Sequence, residues 1–320
     1  MKILFFDPVA QKPYTAKSLT TQPMGASEAS LIRVARELAK EHSVAVFQLV
    51  DAHRKHLVIE GVQHINENTP FSPDVVVHMR SAEYLEMYPE AKNIVWLQDA
   101  AGDWLKKGLW HLADNVVCLT NWHIQNIQTA LNDTKYPPIR RIYNPVDLDG
   151  VFADLKVPDR LGFFSSPHKG LQQVVELFNE LKKSRSELEL VVGNPGYMPD
   201  VIPEGVRFLG SLPHPLAMKE LSRCQALFYP QTVFPETMGV IMAEANALGV
   251  PVLAHDMGAA VEVLITETNK HHNFVIDCTN HKHIKNAVEY MLEPCPTAPT
   301  LDARFELSAV LEQWRQLLEG

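Results

Sequence analysis

The sequence predicts an α/β protein of two doubly wound, Rossmann-like domains facing across a cleft, with a C-terminal helix packing back across them. Three observations carry this. Short apolar, β-branched runs bounded by turn residues alternate with longer stretches of helical period, the pattern of strand-helix units on a parallel sheet. The alternation breaks at a polar, proline-punctuated stretch between Arg141 and Pro158, then starts again. From Leu301 onward, Phe305, Leu307, Val310, Leu311, Trp314, Leu317 and Leu318 recur near helical period, an apolar stripe suited to covering a core. The expected domains are 1–148 and 149–300. Residues 301–320 form a helix returning to the first.

In chain order, Ile3-Leu4-Phe5-Phe6 reads as a buried strand ended by Asp7-Pro8. A Thr, Gln and Pro-rich loop leads to Met24-Gly25-Ala26-Ser27-Glu28, where a helix starts with Leu31, Ile32, Ala35 and Leu38 on one face. Strands follow at 44–47, 74–78, 94–97 and 115–119, each short and β-branched as parallel strands are. Residues 102–112 read as a helix, with Asp99 placed to cap it. In the second half, strands fall at 161–164, 188–193, 206–209, 226–229 and 250–254, with helices at 170–181 and 238–248. Ligands in such sheets bind at the carboxyl ends of the strands.

Composition excludes several classes. With 46% hydrophobic and 21% charged residues the chain is a folded one, and no stretch is apolar enough to span a bilayer. The start MKILFFDPVA meets an acid too early for a secretion signal, so the cytoplasm is the expected compartment. A net charge of −9 without clustered Lys and Arg argues against nucleic acid. Lysine pairs at 106–107 and 182–183 would be the raw material for a peripheral contact with anionic lipid, though a solvated helix surface is the plainer reading of both. Cys118, Cys224, Cys278 and Cys295 show no metal-ligand spacing and read as reduced thiols.

The densest chemistry lies in VFPETMGVIMAEANALGVPV, residues 233–252. Tyr229-Pro230 ends a strand and Gly249 stops a helix, so the unit is strand, loop, helix, strand. The amides of Met238, Gly239 and Val240 face the strand end with partial positive charge suited to a phosphate, and Gly239 allows close backbone approach. Glu244 leans toward the same end, where its carboxylate would repel phosphate but accept hydrogen bonds from a vicinal diol. Glu236 is placed for the hydroxyls of a second sugar. On spacing alone, acids complementing a helix dipole explain the pair as well as a ligand does.

The stretch resembles the Glu-x7-Glu motif of retaining glycosyltransferases of family four (glycosyl transferases group 1), which have the GT-B fold. Arg141-Ile142-Tyr143-Asn144-Pro145-Val146-Asp147 resembles that family's interdomain Asn-Gly-Val-Asp, and Ser166-Pro167-His168-Lys169-Gly170 its Lys-Gly phosphate loop. Phe208-Leu209-Gly210 is similar to its strand near the nucleobase. The resemblance implies that Glu236, with Thr237, Met238 and Gly239, meets the donor sugar. It also implies that Lys169, with Ser165, Ser166, Gly25 and Val240, meets the diphosphate, and that Glu244 holds the ribose.

Departures stand beside it. Phe164 occupies the position where family members place an Arg, and Met24-Gly25 replaces a Gly-Gly. A family histidine is replaced within Trp96-Leu97-Gln98-Asp99, leaving Gln98 and Asp99 as donor-sugar contacts, with a helix cap as the alternative for Asp99.

Arg80, at a strand end beside His78, reads as an acceptor or phosphate contact or as an interdomain ion pair. His271-His272 and His281-Lys282-His283 read as loop histidines, and no metal set is expected. His168 reads as a solvated loop residue that would add positive charge near phosphate when protonated.

The reading is a retaining, metal-independent transferase that uses a nucleotide-diphosphate sugar as co-substrate and no cofactor. Its acceptor would be a glycan, lipid or small molecule. A sugar-nucleotide epimerase of related fold and a non-catalytic sugar-nucleotide or glycan binder are the alternatives.

Overall fold

A computed structural model of the chain describes residues 1–50, 56–132, 135–151, 153–193, 204–265, 273–293 and 298–320. The chain divides into two compact units, one of Met1–Pro145 with Arg304–Gly320 and one of Val146–Ala303.

The first unit holds strands β1 (Lys2–Asp7), β2 (Ser43–Gln48), β3 (Leu57–Ile59), β4 (Val62–Ile65), β5 (Val75–Met79), β6 (Lys92–Trp96), β7 (Asn115–Cys118) and β8 (Ile139–Arg141). Its helices are α1 (Ser18–Thr21), α2 (Ala26–Leu38) and α3 (Asn121–Ala130). The strands lie in the order β3-β4-β2-β1-β5-β6-β7-β8. Every neighbouring pair is parallel except β3–β4. That antiparallel hairpin turns on Glu60 and Gly61, both at positive φ (49° and 82°), the conformation a two-residue turn needs to match the strand twist.

The second unit holds β9 (Arg160–Phe164), α4 (Leu171–Lys182), β10 (Glu189–Gly193), β11 (Val206–Gly210), α5 (His214–Ser222) and β12 (Ala226–Tyr229). It continues through α6 (Val240–Ala247), β13 (Val252–His255), α7 (Ala260–Leu264), β14 (Phe274–Ile276) and α8 (His281–Met291). All pairs are parallel, in the order β11-β10-β9-β12-β13-β14. The chain thus winds outward from β9 in one direction and then returns to wind outward from β12 in the other. The reversal leaves a crevice between the carboxyl ends of these two strands, where open α/β sheets bind ligands. In the first unit the same reversal falls between β1 and β5.

The last helix, α9 (Leu307–Glu319), belongs to the first unit and packs on α2. Its Trp314 is fully buried, edge-on to Trp96 at 4.7 Å and to Phe5 at 6.5 Å between ring centroids. Lys92 Nζ donates to the Leu317 carbonyl at 2.7 Å, tying β6 to the helix end.

Three local expectations are corrected. Residues 102–112 form two 3-10 turns, Asp103–Lys107 and Trp110–Leu112, rather than a helix, and no side chain caps the first. Buried Trp110 explains the break, because its indole donates to the Leu105 carbonyl at 2.9 Å and pulls the backbone into a tighter turn. His281 and His283 open α8 instead of lying in a loop, since the Asn280 side chain accepts the Lys282 amide and caps that helix. The helix after Glu236 starts at Val240, not Met238, because Gly239 sits in the left-handed region at φ 68°. His271-His272 and Cys295 lie outside the described residues. No helix among the described residues is long and apolar enough to cross a membrane.

Candidate functional site

The second unit's site forms at its chain reversal. After β9 the chain turns through Ser165 to Lys169, with the Lys169 amide closing on the Ser166 carbonyl at 3.0 Å. Gly170 ends the turn at φ 83°, where a Cβ would collide with Gln231, and so α4 starts directly behind the lysine. After β12 the chain passes Phe234 and Glu236 before the left-handed Gly239 redirects it into α6. Glu236 is held by its backbone as well. The Ala259 amide donates to its carbonyl at 2.9 Å, and a Cβ on Gly258 would lie 2.7 Å from that oxygen.

These turns bring Lys169 and Glu236 together. Lys169 Nζ donates to both carboxylate oxygens of Glu236, each at 2.9 Å, and lies 4.7 Å from the centre of the Phe234 ring. Glu236 is buried, whereas about a quarter of the Lys169 side chain (24%) is exposed. A second donor to the carboxylate is Tyr229, whose hydroxyl gives its hydrogen to Glu236 Oε1 at 2.6 Å. Burial raises the Tyr229 phenol well above its usual range, and the Glu236 charge and hydrogen bond raise it further, so it remains a neutral donor.

Glu244, one turn into α6, is also buried, and its Oε1 lies 2.7 Å from His214 Nε2 at the start of α5. Thr237, Met238 and Val240 are buried. Ser165 is half-buried with its hydroxyl 3.4 Å from that of Tyr229, while Ser166 and His168 are exposed. Phe164 is buried, its ring filling the space that side chains on Gly162 and Gly193 would occupy. At the position where the resembling family carries an arginine, this chain therefore has part of its core.

The first unit places its own charged cluster at the matching reversal. Arg80 follows β5 in the left-handed region, φ 63°, a strained conformation for a non-glycine residue. Its Nη2 donates to Asp7 Oδ1 and Oδ2 at 3.0 and 2.8 Å, and its Nη1 lies 3.0 Å from Glu28 Oε1. Tyr14 donates to Asp7 at 2.7 Å. Burial works against the Arg80 charge, but the Glu28 and Asp7 carboxylates outweigh it and hold the guanidinium above its ordinary range. These partners lie in the same unit, so the ion pair is internal to that unit rather than interdomain. Gly25 caps α2, and the Glu28 carboxylate lies over it, within the volume a Cβ would need.

Other candidates fall elsewhere. His78 is fully buried against Asn93, Nε2 to Oδ1 2.9 Å, and burial pushes its pKa down to about 4, so it is a core histidine. Gln98 is buried in a reciprocal amide pair with Asn144, at 3.3 and 2.8 Å. Asp99 is exposed and caps no helix, and its carbonyl lies 3.0 Å from His123 Nε2. The thiols of Cys118, Cys224 and Cys278 are buried, which pushes each up to about 12. Among the described residues no three His, Cys, Asp or Glu gather as a metal site. Tyr229 and His214 were not foreseen as site residues. Tyr229 is visible in the sequence only as a strand end, and nothing in the spacing links His214 to a glutamate thirty positions away.

Comparison with known proteins agrees with this architecture. Residues 165–299 match the family model described as glycosyl transferases group 1. A stretch of 104 residues is 35% identical to a phosphatidyl-myo-inositol mannosyltransferase of Propionibacterium freudenreichii subsp. shermanii, covering 32% of this chain and 26% of that protein. Anabaena HepE, solved with UDP-glucose, superposes with a TM-score of 0.73 at 17% identity over 100% of this chain and 99% of its own. Sucrose-phosphate synthase from Thermosynechococcus elongatus does so with a TM-score of 0.73 at 12% identity, over 99% and 98%. The fold is that of GT-B proteins. The match to the glycosyl transferases group 1 family model falls within the second unit.

Proposed function

We propose that the protein is a retaining, metal-independent glycosyltransferase that moves a sugar from a nucleotide-diphosphate donor to a glycan, lipid or small-molecule acceptor. The observation that carries this is the meeting of Lys169 and Glu236 at the chain reversal of the second sheet, with Glu244 one helical turn beyond. In this reading Lys169 turns from Glu236 to the leaving diphosphate. The first-turn amides of α6 at Val240 and Ile241, together with Ser165 and Ser166, take part of the same charge. These groups supply the electrostatic stabilisation that a divalent cation supplies elsewhere. Glu236, freed of the lysine, accepts hydroxyls of the donor sugar, and Glu244 accepts the ribose diol. Among the described residues of this unit no second carboxylate is placed as a nucleophile, which favours front-face transfer with the leaving phosphate taking the acceptor proton.

UDP-sugars are the first donors to try, because the Anabaena protein was solved with UDP-glucose, and GDP-mannose is the second, because of the mannosyltransferase relative. The test is a screen of labelled nucleotide sugars with pooled acceptors and excess chelator. Release of nucleoside diphosphate that depends on acceptor, with the anomeric configuration kept in the product by NMR, is the expected result. An epimerised donor, tight binding with no turnover, or activity abolished by chelator would each overturn part of the proposal.

A further inference from the structure

The Glu236 carboxylate is not symmetric. Both oxygens face Lys169, but only Oε1 also receives the Tyr229 hydroxyl. The tyrosine is rigid, being 1% exposed and stacked on Phe163 of the neighbouring strand at 5.4 Å between centroids with an interplanar angle of 16°. Its single hydrogen is committed to the carboxylate at 2.6 Å, so the Ser165 hydroxyl 3.4 Å away is left to donate to the phenol oxygen. That chain, Ser165 to Tyr229 to Glu236, crosses from the end of β9 to the loop after β12, the two sides of the chain reversal. The lysine, partly exposed on a flexible stem, is the partner that can leave, whereas the ring packed between the two strands cannot.

We propose that Tyr229 is a positioning residue for donor-sugar selection. By holding Oε1 it fixes the carboxylate plane and reserves Oε2 for one hydroxyl of the donor sugar once Lys169 has moved to the diphosphate. This rests on the reading of Glu236 as the donor-sugar contact. An unheld carboxylate would swing about its side-chain torsions and accept from several hydroxyls in turn, binding sugars without choosing among them. A carboxylate pinned at one oxygen presents a single acceptor in a single direction, and direction is what separates one sugar stereochemistry from another. Because the phenol sits far above its usual titration range, the hold persists across the working pH range.

The test is Tyr229→Phe, which keeps the ring stack and removes only the hydroxyl. The probes are UDP-glucose, or the donor returned by the screen above, and each singly deoxygenated analogue of its sugar. In the unsubstituted protein, one analogue loses most of the kcat/KM. In Tyr229→Phe, kcat/KM for the intact donor falls about ten- to a hundredfold, and its advantage over that analogue collapses toward parity. UDP affinity by calorimetry stays within about twofold, which a general loosening of the site would not allow. Ser165→Ala removes the donor to the phenol and also a hydroxyl assigned to the diphosphate, so it lowers the same advantage less, and any loss of UDP affinity it shows is not charged to Tyr229. An unchanged advantage in both variants, or a loss carried wholly by UDP affinity, overturns the role of Tyr229. Glu236→Gln is run alongside. If it keeps the unsubstituted protein's discrimination, the assignment of Glu236 itself is wrong, and the two failures are thereby told apart.

Discussion

Lys169 Nζ donates to both oxygens of Glu236 at 2.9 Å, so the two residues assigned to different parts of a donor satisfy each other in its absence. A diphosphate can recruit the lysine only by breaking this pair. Glu236→Gln removes the competing charge while keeping the shape. It should cut turnover by about 10²-fold or more, yet tighten UDP binding several-fold, because Lys169 is released from a charged partner. Lys169→Met should weaken UDP binding by about 1.5–3 kcal/mol. Isothermal titration of both variants gives the two signs, and weakened UDP binding in Glu236→Gln would refute the exchange.

The second carboxylate has a partner of its own. Glu244→Ala should weaken nucleotide binding by about 1–3 kcal/mol through lost diol hydrogen bonds. His214, 2.7 Å from Glu244, steadies it. His214→Ala should therefore give a smaller loss in the same direction, and no further loss when added to Glu244→Ala, because the two act as a unit. Titration with a nucleoside diphosphate and with its 2′,3′-dideoxy form checks the cycle. Equal losses for both ligands would show that the ribose is not what Glu244 meets.

Arg80 supports a stability prediction. Asp7 is fully buried and receives two of its hydrogen bonds from Arg80. Arg80→Met leaves that charge unpaired and should cost about 3–5 kcal/mol, whereas Arg80→Lys keeps a charge but cannot meet Asp7 and Glu28 through separate nitrogens, and should cost less. Adding Asp7→Asn to Arg80→Met should restore much of the loss. Denaturant melts of the single and double variants measure this, and additive losses would mean the pair is not coupled.

Acid sensitivity follows from two buried histidines. Burial pushes His78 and His123 down to about 4, whereas in the unfolded chain each titrates near 6.5. The unfolded state therefore binds protons first as pH falls, so stability is full above about pH 6.5 and is lost progressively toward pH 4, by about 3 kcal/mol for each group. His78→Gln and His123→Gln should flatten the dependence of melting temperature on pH in that window. An unchanged slope would show that these imidazoles are not its source.

Much of this was legible beforehand, for definable reasons. β-Branched runs such as 75–77 and 115–118 read as buried strands, and Tyr229-Pro230 and Gly249 framed a strand-loop-helix unit whose helix start was placed two residues early. What stayed hidden depends on contacts between distant residues or on weak local signals. The hairpin at 57–65 is three and four residues a side, with Glu60 in a positive-φ position that asparagine or glycine would have advertised. The 3-10 turns at 103–112 arise from where the Trp110 indole finds a carbonyl, not from any local preference. His78 stands at a predicted strand end, where ligands are met, but Asn93 on the adjacent strand satisfies it. Lys169 and Glu236 were singled out in the sequence as two separate expected contacts, while their mutual bond needed the order of β9 and β12 in the sheet.

Trp314 gives the chain an unusual order of completion. Its ring fills a space bounded by Phe5 and Trp96, so the core begun at β1 is closed by a helix that follows the whole second unit in the chain. During synthesis the second unit, continuous from Val146 to Ala303, can finish folding while the first still lacks its final helix. A nascent chain stopped before residue 304 would carry a folded second unit beside a first whose apolar groove, between α2 and β6, lies open to whatever chaperone is at hand.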